Sequence, residues 1–434
     1  MQEEKLIRAV GVRGLSAAIV NYTVGAGIFV LPAIVAARIG GAAPIAYILC
    51  AITMGVVVSC FAEAGSRVSM SGGTYAYAET VFGPYVGFLV AIMHWFSVVL
   101  ASAGIANVCL DALSRFVPAL AGGPPRVIAL VLLYAALAAV NIRGVRSGIG
   151  VVQTITVAKL TPLLLLIVVG FFVLNPANLA WPGLPPFGEI GRATSLLIFA
   201  FMGVESALAP SGEVENPART VPRSIFIAFV LVTLLYLSIQ VVSQGVLGPE
   251  LALNTKAPLA ETARRALGSR GEGLIILGTA ISTFGGTAGD MLAAPRLIYS
   301  LGRDRLIPPI IGAVHPRFKT PYVAIAFHAT CCALFAITGT FETLAPTSVL
   351  ATLFVYLVCC LATIQLRRRD VRSDGAIPFR IPGGPIVPVL ASIVVIWLMT
   401  TATRTEFLAS AAMLVSSSLL FLVMRLLSPA TRNG

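Results

Sequence analysis

Apolar residues fill this chain in blocks of about twenty, the length at which a helix crosses the hydrocarbon core of a bilayer, and short polar stretches separate the blocks. Twelve such blocks run along the sequence, at residues 14–37, 41–62, 83–110, 125–142, 148–174, 193–211, 223–246, 273–300, 322–340, 343–366, 386–403 and 405–426. Two of them interrupt their own pattern. The first holds "NYTVGAGIFVLP" (residues 21–32), with Gly25, Ala26 and Gly27 where a continuous helix should run. The sixth holds "IFAFMGVESALAPSGE" (residues 198–213), where Gly203 and then Glu205 stand in what should be hydrocarbon. Gly25 and Gly27 do not form a dinucleotide fingerprint, which needs a preceding strand and a third glycine.

Blocks 1 and 6 occupy corresponding places in two successive groups of five. Paired interruptions of this kind point to an inverted-repeat transporter with its substrate site at the breaks. The pattern predicts an all-α integral membrane protein in one transmembrane domain, residues 1–434. Its first repeat is 14–174, its second is 193–366, and two further spans lie at 386–426. The polarity of the half-helices assigns charges to the ligand. The half after Gly27 begins with free N–H groups and a positive dipole end, suited to a carboxylate. The half ending near Phe199 and Ala200 presents free carbonyls, suited to an ammonium group. Together the breaks describe a zwitterion.

Composition agrees with this solvent. The chain is 57% hydrophobic and 11% charged, with a mean hydropathy of +0.93, too little polar surface for a water-soluble globule of 434 residues. With the N-terminus cytoplasmic, 20 of the 30 Lys and Arg fall in cytoplasmic segments and nine on the other side, so both termini are expected in the cytoplasm. This asymmetry accounts for the net charge of +12 without a nucleic-acid partner, since no aromatic-lined basic groove accompanies it. The seven Cys show no CxxC spacing, and the three His (94, 315 and 328) show no HExxH. No metal site, cofactor or enzymatic constellation of nucleophile and base is visible.

Four stretches carry a likeness to a known family: "VGAGIFVLPA", "NIRGVRSGIGVVQTITVAKL", "FMGVESA" with "EVENPARTVPRS", and "PRLIYSLGRDRLIP", in that order between residues 24 and 308. The chain resembles the amino acid-polyamine-organocation transporters, of the bacterial amino acid permease type. The resemblance implies the five-plus-five inverted repeat of the leucine-transporter-like fold, with twelve transmembrane helices and helices 1 and 6 unwound. It implies that the backbone at Gly25, Ala26 and Gly27 binds the substrate carboxylate. Phe199, Ala200 and Met202, beside Gly203, would bind the amine, with Phe199 also closing over the substrate. Many members carry serine where Ala26 stands.

An unpaired Lys159 inside span 5 costs about 2.5–3.5 kcal/mol on insertion scales and must have a task. In similar sodium-independent members a lysine here stands in for the sodium ion and takes part in proton coupling. Glu205 follows the break in span 6, where a helix N-terminus stabilises a carboxylate, and in relatives belongs to the inner gate. Asp290 in "FGGTAGDML" has two readings, a ligand for a second cationic group on the substrate or an ion-pair partner of Lys159. Met93 and Ser97 are candidate pocket residues, and His94 beside them is expected to make a hydrogen-bonded helix contact. Arg296, Arg303, Asp304 and Arg305 are expected to form a cytoplasmic ion network. The segment 247–272 reads as an outer lid or a connector. The expected function is sodium-independent secondary active transport of an amino acid across the inner (cytoplasmic) membrane by alternating access, by proton coupling or exchange. The alternative substrate is a polyamine or simple amine such as putrescine or ethanolamine.

Overall fold

A computed structural model describes residues 10–68, 73–144, 149–180, 183, 185–208, 214–254, 256–372 and 377–427, the side chains of 149–156, 206 and 207 excepted. The described residues are helical almost throughout, and the only β-pairing among them is an isolated parallel bridge between Val10 and Val214. The first residue of the expected fifth span, 148, the last residues of the expected sixth, 209–211, and Lys5, Arg8, Arg146 and Arg432 of the expected cytoplasmic set lie outside the described residues.

The helices are α1 (Val12–Thr23), α2 (Gly27–Ile39), α3 (Ala43–Arg67), α4 (Thr74–Phe82), α5 (Pro84–Leu113), α6 (Gly123–Arg143), α7 (Ile149–Val173), α8 (Phe187–Phe201), α9 (Val204–Ala207) and α10 (Pro217–Leu247). They continue with α11 (Pro258–Arg303), α12 (Tyr322–Thr338), α13 (Phe341–Arg368), α14 (Ile386–Thr400) and α15 (Arg404–Leu427). Among the described residues, six stretches are long and apolar enough to cross a membrane: Gly27–Arg67, Pro84–Leu113, Gly123–Arg143, Pro217–Leu253, Phe341–Arg368 and Arg404–Leu427. The other expected spans differ for local reasons. α1 and α8 stop after 12 and 15 residues, and α12 and α14 are 17 and 15 residues long. α11 begins with a charged stretch around Glu261 and Arg264 that turns at Gly268 (φ 73°) before the apolar part starts.

Buried apolar side chains form two large clusters among the described residues. One gathers α1, α2, α3, α8 and α10 around Ile28, Met54, Leu197 and Ile225. The other gathers α5, α6, α11 and α12 around Phe88, Val99, Tyr134, Met291 and Ile325. α13 serves both, giving Phe341, Val349 and Leu353 to the first cluster and Leu344, Ala351 and Val355 to the second, and α5 (Ala101, Val108) and α11 (Leu259, Ile275) also reach the first. Thr340 opens α13 in a capping box with Thr343, which fixes where Phe341 enters the bundle.

The two ends of the bundle are fastened differently. Near the start of α1, the Ser224 hydroxyl donates to the Val12 carbonyl at 3.2 Å. At the same end Glu63 of α3 is fully buried and binds Arg67 at 2.9 Å, Arg367 of α13 through both carboxylate oxygens, and the Ile381 amide at 3.0 Å. At the opposite end Arg38 of α2 pairs with Glu189 at 3.3 Å and Arg192 of α8 with Glu406 at 4.0 Å, on half-exposed surface.

Candidate functional site

The helix that starts at Val12 loses its hydrogen-bond ladder at Val24. The Gly25 amide, which would donate to the Asn21 carbonyl in a continuous helix, turns to the Thr23 carbonyl at 2.9 Å. α2 then begins at Gly27, so its first N–H groups have no intrahelical acceptor. The second break follows the same rule. The Gly203 amide donates to the Glu205 carboxylate at 3.1 Å, which deprives the Phe199 carbonyl of its helical donor. Gly203 has φ 119°, a backbone conformation that glycine alone adopts without strain.

The two breaks touch. A β-carbon on Gly27 would lie 3.0 Å from the Ala200 α-carbon, and one on Gly203 would lie 2.9 Å from the Tyr22 carbonyl carbon. The absent side chains are what let the free N–H end of α2 and the free carbonyl end of α8 share one place. A donor end beside an acceptor end, closed off from bulk water, suits a molecule carrying both a carboxylate and an ammonium group.

Three side chains hold this geometry. Lys159 of α7 is 3% exposed, and its Nζ donates to the carbonyls of Val24 (2.7 Å) and Asn21, the orphan acceptors at the end of α1. A cation on a helix C-terminus meets the negative end of its dipole. The Tyr236 hydroxyl of α10 lies 2.8 Å from both the Thr23 and Ala200 carbonyls, so its single proton ties one break to the other. Glu205, 5% exposed, accepts from the Gly203 amide and, through its second oxygen, from the Tyr356 hydroxyl of α13 at 3.0 Å. Tyr236 and Tyr356 were not singled out by sequence; a lone tyrosine within an apolar span ("VTLLYLSIQ", "LFVYLVCC") is the signal that marks them.

Other expected residues distribute around this centre. Phe199 stacks edge-on against Phe341 at 5.1 Å and 88°, covering the breaks from the α2 and α13 side. Ala200 has its carbonyl already engaged by Tyr236. Met202 is half-buried, and its sulfur receives the Thr352 hydroxyl at 3.7 Å. Thr352 in turn meets Ser97 at 2.5 Å, and Ser97 meets Ser348 at 3.1 Å, a fully buried hydroxyl cluster joining α5 to α13. Met93 is buried one turn away. Ala26 is buried and Gly25 half-buried.

Asp290 is half-buried on α11, next to Gly289, whose missing β-carbon faces the Tyr22 ring at 3.8 Å. It makes no ion pair with Lys159, whose bonds go to carbonyls, so the ion-pair reading of Asp290 is set aside. His94 makes no hydrogen bond among the described residues. The hydrogen-bonded helix contact expected of it is made instead by His328, which accepts from Trp95 at 3.1 Å. The expected ion network around Arg296 reduces to Arg303 with its neighbour Asp304 at 2.9 Å, both exposed. The buried network at that end of the bundle is the one around Glu63.

A family model described as "Amino acid permease" matches residues 10–424. The chain belongs to the amino acid permease family. The methylthioribose transporter of Bacillus subtilis (strain 168) is 27% identical over 430 residues, covering 94% of this chain and 91% of that protein. The branched-chain amino acid permease of the same organism is 26% identical, covering 92% and 88%. The b(0,+)-type amino acid transporter 1 of Mus musculus is 27% identical, covering 91% and 83%. This permease is therefore a multi-pass membrane transporter and not an enzyme.

Proposed function

We propose that this permease moves a zwitterionic α-amino acid across the cytoplasmic membrane by alternating access, without sodium. The observation that carries the reading is the contact between the two breaks, which sets the open N–H end of α2 beside the open carbonyl of Phe199. In this reading twelve helices cross the membrane in a five-plus-five inverted repeat, 14–174 and 193–366, with both termini cytoplasmic. Gly25, Ala26 and Gly27 take the carboxylate, Phe199 and Met202 take the ammonium group, and Asp290 faces the substrate side chain. Lys159 occupies the carbonyl end of α1 with a fixed ammonium group, where a sodium ion would otherwise need oxygen ligands, and exchanges its proton in coupled transport. Relatives named for branched-chain amino acids and for serine and threonine exchange support an amino acid over a polyamine.

Thermal unfolding of the purified protein with each common amino acid and its decarboxylated amine tests this. A ligand at a hundred times its Kd stabilises by about 2.7 kcal/mol. With an unfolding entropy of about 2.1 cal/mol/K per residue, the melting temperature rises by about 3 °C. At least one α-amino acid is expected to give this rise while its amine gives none. A rise with polyamines alone refutes the zwitterion reading.

A further inference from the structure

A slot opens at the membrane face where α2 ends and α8, α13 and α15 begin. Its volume is about 170 Å³, below the size of about 300 Å³ at which compact small-molecule sites start. It is deep instead of wide. Along α13 it runs from Glu342 to Leu353, about 16 Å at a rise of 1.5 Å per residue, and along α2 from Arg38 to Leu31, about 10 Å. The hydrocarbon core of a bilayer is about 30 Å thick, so one leaflet accounts for about 15 Å. The slot descends through about one leaflet, parallel to the helices.

Its walls and its rim differ in kind. Leu31 of α2, Val349 and Leu353 of α13 and Leu398 of α14 are buried along the walls, and Leu196 of α8 is half-buried there. The charges stand at the rim, level with the helix ends. Arg38 spends one nitrogen on Glu189 at 3.3 Å. Arg192 lies 4.0 Å from Glu406, beyond hydrogen-bond reach, and makes no hydrogen bond among the described residues. Glu406 is served without it, since its carboxylate accepts from the Thr403 amide at 2.8 Å. Glu342 is exposed and makes no hydrogen bond or ion pair among the described residues. The rim thus offers a guanidinium with its donors unspent and a carboxylate without a cation, above an apolar shaft.

We infer that this slot holds one phospholipid of the adjoining leaflet with a phosphoethanolamine headgroup. Its acyl chain fills the shaft, its phosphate takes the Arg192 fork with Arg38 beside it, and its ammonium donates to Glu342. A planar guanidinium matches a phosphate by two parallel N–H bonds, and basic pockets between membrane helices hold lipid headgroups by the same chemistry. The free carboxylate distinguishes this lipid from an anionic one, whose headgroup has no cation to offer. The chain occupies the space between the two half-helices at the breaks, α2 and α8, and the α13 and α14 side of the bundle.

Full-length permease in detergent, titrated with dioleoylphosphatidylethanolamine and read by native mass spectrometry, provides the test. One lipid retained per protein is expected. Dioleoylphosphatidylcholine, whose methylated nitrogen has no proton to donate, should bind three- to tenfold more weakly. Arg192→Gln should weaken both lipids at least fivefold, whereas Glu342→Gln should abolish the preference between them and leave phosphatidylcholine binding within twofold. Ser195→Phe places a ring in the slot from its half-buried α8 wall and should weaken both at least tenfold. Arg192 and Glu342 carry no hydrogen bond among the described residues, so their variants should melt within 2 °C of the parent and decide the matter even if Ser195→Phe fails to fold. A parent that retains no lipid, or Arg192 and Glu342 variants that bind both lipids within twofold of the parent, overturns the inference. Displacement of the lipid by the transported amino acid assigns the slot to the substrate and overturns it too.

Discussion

Lys159→Met separates the structural task of this lysine from its part in transport. The methionine side chain fills nearly the same volume but removes the charge and both donors. The Val24 and Asn21 carbonyls, now served at 2.7 Å and closer, become orphans inside the bundle. An unsatisfied buried carbonyl costs about 1–3 kcal/mol, so the two together cost about 2–6 kcal/mol. Against this, a 3% exposed ammonium with no carboxylate partner among the described residues carries an effective desolvation penalty of several kcal/mol, which the variant removes. The terms are opposed and of similar size, leaving a net change within about 2 kcal/mol. At about 0.9 kcal/mol per °C for a chain of this length, the melting temperature moves by no more than about 2 °C. Transport is expected to behave otherwise. In liposomes with an imposed pH gradient, the variant should lose at least tenfold in gradient-driven uptake and lose the dependence of that uptake on the gradient. Binding of the amino acid at the breaks should stay within threefold. Gradient-driven uptake within twofold of the parent, with unchanged pH dependence, refutes a coupling role for Lys159. A fall in melting temperature beyond about 5 °C would show that the lysine is chiefly a cap on α1.

Other substitutions probe the same architecture. Glu63→Gln leaves the guanidinium groups of Arg67 and Arg367 without their shared carboxylate, and breaking a buried pair costs about 3–5 kcal/mol, so thermal unfolding should begin about 3–5 °C lower; an unchanged melting temperature would mean that the cluster is hydrated and screened. Gly27→Ala inserts a β-carbon 3.0 Å from the Ala200 α-carbon and forces the breaks apart, so amino acid affinity measured by thermal shift should fall at least tenfold; retained affinity would remove the contact between the breaks from the mechanism. Tyr236→Phe keeps the ring packed on Phe201 at 5.2 Å but deletes the tie between the Thr23 and Ala200 carbonyls, and scanning calorimetry should register a drop of about 1–3 °C. Gln240→Leu replaces a fully buried amide whose polar atoms find no partner among the described residues, so the variant should melt no lower than the parent; a clear loss of stability would reveal ordered water bonded to that amide.

The positions of the helix ends at the site are legible because glycine, a residue that costs helix stability, appears where span length demands a helix. Gly25, Gly27 and Gly203 stand out for that reason, and α1 stops at Thr23 and α8 at Phe201. Lys159 and Glu205 stand out because a charge in an apolar span needs a partner. What the charge pattern does not reveal is which partner. Lys159 binds backbone carbonyls, which every residue carries, so no sequence contrast marks them. Tyr236 and Tyr356 escape for the related reason that an aromatic residue in an apolar block is ordinary, and only the third dimension shows where its hydroxyl points. Glu63 and Arg67 sit at a span edge, where charges are expected in water, yet both are buried because Arg367 and the Ile381 amide arrive from 304 and 318 residues away. Spacing along the chain carries no trace of such a meeting.

The division of the core into two apolar clusters bears directly on how the proposed alternation would run. Val24, Ala26, Phe199, Ala200 and Tyr236 belong to the first cluster, whereas Phe96, Met291 and Ala329, the chain neighbours of Ser97, Asp290 and His328, belong to the second. Packed interiors resist deformation, so relative motion is least costly along the seam between two cores. α5, α11 and α13 each contribute several residues to both, and α13 carries polar ties as well. Its middle is fixed to α5 by Ser348 and Thr352 on Ser97, its Tyr356 reaches Glu205 at the second break, and its end is fixed to α3 by Arg367 on Glu63. A rotation of one cluster against the other would strain these three attachments together with the packing of α5 and α11, which also bridge the two cores. The bond from Tyr356 to Glu205 is the one within reach of the substrate site, since Glu205 also holds the Gly203 amide. In the proposed reading, substrate at the breaks would compete for that backbone, and this competition would link occupancy to motion without a separate trigger.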